Sequence, residues 1–166
     1  MNILITRPLM DAEDLMGKFF AYGHKIIHLP TLKISSLDTE LVNSDNFDAF
    51  VFTSTNAIRN LKLTSTNKSL HCFCVGSITE KIARQFGFIN TSSAGGTVNA
   101  LKNLIMISDK VNKNSNLAYF CGDNISYDLD LELIKEGLKI KKIINYASEA
   151  ISELNNENKK LIEDYP

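Results

Sequence analysis

The chain shows no basic stripe. Its formal net charge is −1, from 18 Lys and Arg against 19 Asp and Glu. A nucleic-acid surface would concentrate Lys and Arg on one face. Here the tightest cluster is Lys139, Lys141 and Lys142, flanking an apolar strand candidate. No apolar run approaches the length of a membrane span, so no membrane partner is expected. Ile3-Leu4-Ile5 is too short for the apolar segment of a signal peptide, which makes the cytoplasm the default location. Cysteine is sparse, with three residues and neither a C-x-x-C pair nor a nearby pair of histidines. Cys72 and Cys74 stand two apart in a strand pattern and share a face. They read as small buried apolar groups in a reducing compartment, with no metal site.

Glycine-rich nucleotide loops are also missing. A dinucleotide fold needs G-x-G-x-x-G after its first strand, where backbone approaches a pyrophosphate. Here that turn is Thr6-Arg7-Pro8. Gly95-Gly96 lacks the remaining glycines and no Walker lysine follows. No G-x-S-x-G elbow occurs. His24, His28 and His71 lie in or beside strands without a nucleophile in view, which suits a structural role. Asp128 and Asp130, and Glu132 and Glu136, fall on a helix pattern and read as a solvated face.

What is present is a chain of 166 residues, 44% hydrophobic and 22% charged, enough for one ordinary domain or two small ones. Apolar strands and helical patterns alternate from end to end. Strands are expected at 2–6, 24–29, 47–53, 70–75, 88–91, 117–121 and 138–146, with a short extended piece at 31–35. Helices are expected after Pro8, after a Ser54 or Thr55 cap, after a Ser77 cap, after Gly95-Gly96-Thr97 and after Ser126. Gly23, Gly87 and Gly137 stop three of them. A polar helical tail covers 148–164. Such alternation implies an α/β fold with a parallel sheet covered by helices on both faces. The first boundary falls between Pro30 and Leu37. The two strands before it cannot bury both faces of a sheet by themselves.

Hydroxyls and glycines collect where strands end. Thr53, Ser54 and Thr55 follow one strand, and Ser77 and Thr79 follow the next. Gly96 and Thr97 precede a third helix, and Gly122, Asn124 and Ser126 follow another strand. The carboxyl side of a parallel sheet is where open sheets take ligands, and free N–H groups at helix starts suit carboxylate or phosphate. Each hydroxyl alone is explained equally well as a helix cap; together they argue for an anion-lined crevice. Tyr146 ends the last strand. Spacing alone reads it as an interfacial aromatic. The functional reading is a phenol protonated at neutral pH and able to donate a proton.

Several of these segments together resemble the uroporphyrinogen-III synthase family. They are Ile5-Thr6-Arg7-Pro8, the stretch from Gly23 to Pro30, Phe52-Thr53-Ser54 with Ala57, Val75-Gly76 with Thr79, Gly122-Asp123, and a strand closing on Tyr146. Each motif is short; their order and spacing are more specific. The resemblance covers residues 2 to about 147. It implies two doubly wound parallel-sheet (flavodoxin-like) domains, the first discontinuous and incomplete in this chain. Residues 1–34 are then the first part of domain 1, 35–146 domain 2, and 147–166 a return segment that stops in its first helix, with the other strands and loops of the returning half absent.

The implied activity is closure of hydroxymethylbilane, a linear tetrapyrrole with eight carboxylates, to uroporphyrinogen III with inversion of ring D. No cofactor is implied, and the complete protein is expected to be a monomer. Tyr146 matches the tyrosine that assists departure of the hydroxyl. Thr53, Ser54, Thr55, Ser77, Thr79, Gly96, Thr97, Gly122 and Asn124 become the substrate rim. Two positions depart from the family pattern: Cys121 replaces an arginine often found before Gly-Asp, and Glu80 follows Thr79 in place of alanine. The rival readings are a non-catalytic anion- or metabolite-binding flavodoxin-like module, which would not need Tyr146, and a receiver-type signalling domain. The latter would need acids after the first strand, where Thr6-Arg7-Pro8 stands.

Overall fold

The computed structural model describes residues 1–65, 67–154 and 156–163. It is a mixed α/β structure with ten strands and six α-helices among those residues. The chain divides into two compact units. One combines Met1–Ser35 with the chain from Ser148 onward, and the other is Ser36–Ala147.

In the first unit, β1 (Asn2–Ile5) and β2 (Lys25–His28) form a parallel pair, with Ile3 opposite Ile26 and Ile5 opposite His28. The crossover is α1 (Leu9–Ala21), which ends before Gly23 at φ 78°. A φ of that sign costs glycine nothing and strains other residues. Ile5, Ala12, Ile27 and Leu29 are buried, while Leu4, Met10, Phe20 and Tyr22 remain exposed. Two strands and one helix cannot cover both faces of a sheet. α6 (Asn156–Glu163) also belongs to this unit. Asn155 and Asp164, which the helical tail reading also covered, lie outside the described residues.

The second unit is built on five parallel strands in the order β10-β9-β5-β7-β8. They are β5 (Ala49–Phe52), β7 (His71–Cys74), β8 (Thr91–Ser93), β9 (Asn116–Gly122) and β10 (Lys139–Ala150), while β3 (Leu32–Ser36), next to β10 in the strand order, falls almost wholly within the residues of the first unit. From β5 the chain winds outward through β7 to β8, then crosses back to β9 and β10. The winding direction therefore reverses between β5 and β9, where an open α/β sheet forms a crevice beyond its strand ends.

Successive strand residues face opposite ways, and the core divides accordingly. Ala49, Val51, Phe73, Leu117, Tyr119 and Cys121 pack on one face with α4 (Val98–Ile107) and α5 (Leu129–Lys135). Phe50, Phe52, Cys72, Cys74, Ala118 and Phe120 pack on the other with α2 (Thr55–Arg59) and α3 (Ser77–Gln85). Phe50 lies at the centre of that second cluster. Its ring meets Phe120 at 4.9 Å, Phe88 at 5.9 Å and Phe52 at 6.0 Å, each edge to face.

Several sequence expectations move. The strand expected at 88–91 is Thr91–Ser93, while Phe88 enters the core from the preceding loop. The helix expected to open at Ser126 begins at Leu129, and its Asp128 start carries no side-chain cap. The start of the tail is not helical: β10 runs on to Ala150 and the helix waits until Asn156. A small parallel pair, β4 (Val42–Asn43) with β6 (Leu63–Ser65), had no counterpart in the sequence reading. Ser44 closes it, donating from Oγ to the Ser65 carbonyl at 2.9 Å.

Candidate functional site

All sheet pairings from β8 through β10 are parallel. The segments following β5, β7, β8 and β9, and Tyr146 at its register position on β10, therefore share one edge. The backbone ties this edge together. Val75 N–H donates to the Phe52 carbonyl at 2.9 Å, and Gly96 N–H to the Val75 carbonyl at 2.9 Å. Gly96 has φ 89°, so its turn disfavours a side chain at that position.

The hydroxyls differ in what they already do. Ser54 Oγ caps α2 by accepting from Asn56 N–H at 3.1 Å. Thr97 Oγ1 caps α4 through Ala100 N–H at 3.2 Å. Thr55 is the first residue of α2, and Arg59 Nη1, one turn on, donates to its Oγ1 at 3.3 Å. Thr53 Oγ1 shares a 3.2 Å hydrogen bond with the Tyr119 hydroxyl. Asn124 is exposed, its amide turned to Asp123 Oδ1 at 3.2 Å. Ser77 is not a cap: Gly76, in extended backbone, takes that position, and Ser77 is an exposed first helical residue. Thr79 packs inward at 5% exposure. Ser126 is exposed in the loop before α5.

Tyr146 lies opposite Gly122 in the register of β10 and β9. A Cβ added at Gly122 would stand 2.7 Å from ring carbons Cε2 and Cζ and 3.0 Å from the phenol oxygen. The ring is thus seated directly on backbone, which only glycine permits. Burial raises the phenol pKa above its ordinary value, opposed by hydrogen bonds with Ser54 and the Gly122 backbone. Tyr119 beneath it is raised further by burial. The phenol of Tyr146 is therefore a proton donor throughout the neutral range.

The thiols are inert. Burial pushes Cys74 up to about 12 and Cys121 up to about 11, and raises Cys72 as well. All three are buried and unpaired by disulfide. Among the described residues no group of three His, Cys, Asp or Glu is placed to hold a metal ion, and no helix is long and apolar enough to cross a membrane.

Glu80 turns toward β8. Its Oε1 accepts from Thr91 Oγ1 at 2.7 Å and from Arg84 Nη2 at 2.9 Å. Hydrogen bonds from Ser93, Thr91 and Arg84, in that order, hold its carboxyl down at about 2 against an ordinary 4.5. A carboxyl depressed in the folded state stabilises above its unfolded pKa and loses that contribution as pH falls through the folded value. The melting temperature of the chain should therefore decline between pH 4.5 and about 2 more steeply than that of Glu80→Gln. Parallel declines for the two proteins would refute the linkage.

A concavity of ≈ 750 Å³ opens at the other edge, where β5, β7 and β8 begin, and is lined by His71, Asn90, Ser92 and Lys110 among others. Burial lowers the His71 pKa, with Lys110 adding to the effect. Its Nε2 is 3.0 Å from Ser92 Oγ. This edge receives helix C-terminal ends, whose carbonyls carry partial negative charge and disfavour anions. The chemistry for an anionic ligand is on the carboxyl edge instead.

Sequence reasoning missed Arg59, Tyr119 and Asn145 there. The i, i+4 spacing of Thr55 and Arg59 was a readable signal for the first; the other two act through contacts distant in sequence.

A family model described as uroporphyrinogen-III synthase HemD matches residues 13–165. The chain is similar in structure to the uroporphyrinogen-III synthetase of Helicobacter pylori, with a TM-score of 0.59 and 17% identity over 83% of this chain and 61% of that one. It is also similar to a mutant uroporphyrinogen III synthase of Thermus thermophilus, with a TM-score of 0.55 and 14% identity over 98% of this chain and 67% of that one. At such identities the likeness is one of fold. No curated protein matches the chain, and it spans 61% of the length of the Helicobacter protein.

Proposed function

The chain belongs to the uroporphyrinogen-III synthase family, and from that premise we propose that it acts in tetrapyrrole biosynthesis by closing hydroxymethylbilane to uroporphyrinogen III. The observation that carries the reading is Tyr146: a protonated phenol, seated on Gly122 and bonded to Ser54, at the edge where the strands of the sheet end. In this role the phenol donates to the departing hydroxyl, which leaves as water, and ring D is inverted before the macrocycle closes.

A chain of net charge −1 does not gather a polycarboxylate by overall attraction. The N–H groups and dipoles at helix starts act locally. Thr53, Ser54 and Thr55 at the start of α2, Ser77 and Thr79 at that of α3, Gly96 and Thr97 at that of α4, and Gly122 with Asn124 after β9 are proposed to receive the carboxylates. The exposed members of this set offer the contacts. Thr79, being buried, contributes by packing the first turn of α3. No cofactor enters the reaction, and catalysis rests on holding a flexible bilane in the geometry of closure. On this reading the unit formed by Met1–Ser35 and the chain from Ser148 is part of a discontinuous first domain, and the work is done in the cytoplasm by a monomer.

The test is conversion of enzymatically generated hydroxymethylbilane by the protein expressed from its whole reading frame. Type III product in excess over the spontaneous type I isomer is expected. Type I isomer alone would overturn the proposal.

A further inference from the structure

The register of β10 against β9 skips one residue. Ile144 stands opposite Cys121 and Tyr146 opposite Gly122, so Asn145 has no opposite number. A bulge of this kind re-aims the side chains that follow it, and the next residue is Tyr146. Asn145 is only 2% exposed. Its Nδ2 donates to the Ala57 carbonyl at 2.7 Å, across 88 residues of chain. Its own carbonyl accepts from Leu37 N–H at 3.2 Å.

Ala57 lies in α2, a helix too short to satisfy all its carbonyls internally. Asn60 N–H takes the Asn56 carbonyl and Leu61 N–H the Ile58 carbonyl. The Asn145 amide takes the Ala57 carbonyl between them. That bond ties α2 to the bulge of β10. Ser54 caps the same helix at its start and is hydrogen-bonded to the Tyr146 phenol. The Asn145 Oδ1 is buried with no hydrogen-bond partner among the described residues. An amide that uses its donor and leaves its oxygen unmatched is poorer filling than an aliphatic side chain of similar size. The donor is what this position supplies.

We propose that Asn145 is a positioning residue: by clamping α2 to the bulge of β10 it sets the Ser54–Tyr146 contact and holds the phenol ring on its seat at Gly122. The catalytic consequence rests on the function proposed above. The placement does not, and the experiment separates them.

Asn145→Leu fills the volume and removes the donor, and Gly122→Ala leaves Asn145 intact while a Cβ occupies the seat. The first readout is NMR on the chain itself, following the ring-current shift of the Gly122 α-protons, with Tyr146→Ala as the reference for an absent ring. In Asn145→Leu that shift should collapse toward the Tyr146→Ala value, with the protein still folded and its melting temperature lowered by no more than several degrees for the Ala57 carbonyl left unpaired. The second readout is turnover of hydroxymethylbilane by the protein from the whole reading frame. It should fall about 10-fold in Asn145→Leu with KM unchanged, because a small misplacement of a reacting group is costly. Gly122→Ala should lose both the seat and the rate.

A folded Asn145→Leu that keeps the Gly122 shift overturns the proposal. Gly122→Ala turning over at the parental rate would remove the seat from the reading, and if Asn145→Leu does not fold, Asn145→Ala takes its place: a Gly122 shift kept there overturns the proposal equally. Absence of type III product from the parent would defeat the functional reading, while the NMR arm still decides the placement.

Discussion

Tyr146→Phe is expected to slow formation of uroporphyrinogen III about 100-fold, near the lower end of what a positioned general acid contributes. Phenylalanine keeps the ring on Gly122 and preserves packing; it deletes only the hydroxyl. The interaction lost is one that strengthens as the leaving hydroxyl gains charge, so the loss should appear in kcat more than in KM. Burial raises the phenol pKa, so the donor form persists upward in pH, and any decline of the parental rate from loss of this proton should have its midpoint above the ordinary phenol value of about 10. Asn124→Ala is the comparison: it removes one exposed polar group among several on the rim and should weaken binding with little change in kcat. Single-turnover assays that resolve the type III from the type I isomer make the measurement. Unchanged kcat in Tyr146→Phe would remove the residue from the chemistry.

Phe50→Ala is expected to cost about 3–5 kcal/mol of folding stability. Phe50 is fully buried at the middle of the sheet, and three other rings close on it within 6.0 Å. Removal leaves a cavity between β5, β9 and the helices on that face, and the three remaining rings cannot relax into it together. For a chain of this size the loss corresponds to a fall in melting temperature of roughly 10 °C. Urea unfolding, with the slope compared to that of the parent, measures it directly. A loss under about 1 kcal/mol would mean that the cluster on this face is not the mechanical centre of the second unit.

Some of this was legible in the chain itself. Ala49-Phe50-Val51-Phe52 and Cys72-Phe73-Cys74 are apolar at consecutive positions, and only a strand buried on both faces needs that. Parallel pairing with helices on both faces followed, because each such run gives way to helical spacing. Thr97 and Ser54 were readable as caps because a hydroxyl stands immediately before helical spacing, and both accept the N–H their positions call for. Ser77 and Ser126 carry the same chemistry and fail as caps. Capping depends on backbone angles, and at α3 it is Gly76 that adopts the extended conformation. The strand Thr91-Ser92-Ser93 was displaced in the reading because an edge strand buries less apolar surface than a central one, while the nearby Phe88 advertises a strand and supplies only a core ring from a loop.

The amino-acid sequence by itself therefore determined the class of fold, the central strands and the edge at which hydroxyls and glycines would gather, because burial and helix starts are local demands written in residue type and spacing. The tertiary structure alone decided where the Tyr146 phenol lies. The Gly122 seat is 24 positions away in the chain, the partner of the Asn145 amide is 88 positions away, and the bulge between them exists only in the register of two strands. Contacts between residues so far apart leave no periodic trace, since each partner is chosen by the packing of the sheet and not by its neighbours in sequence.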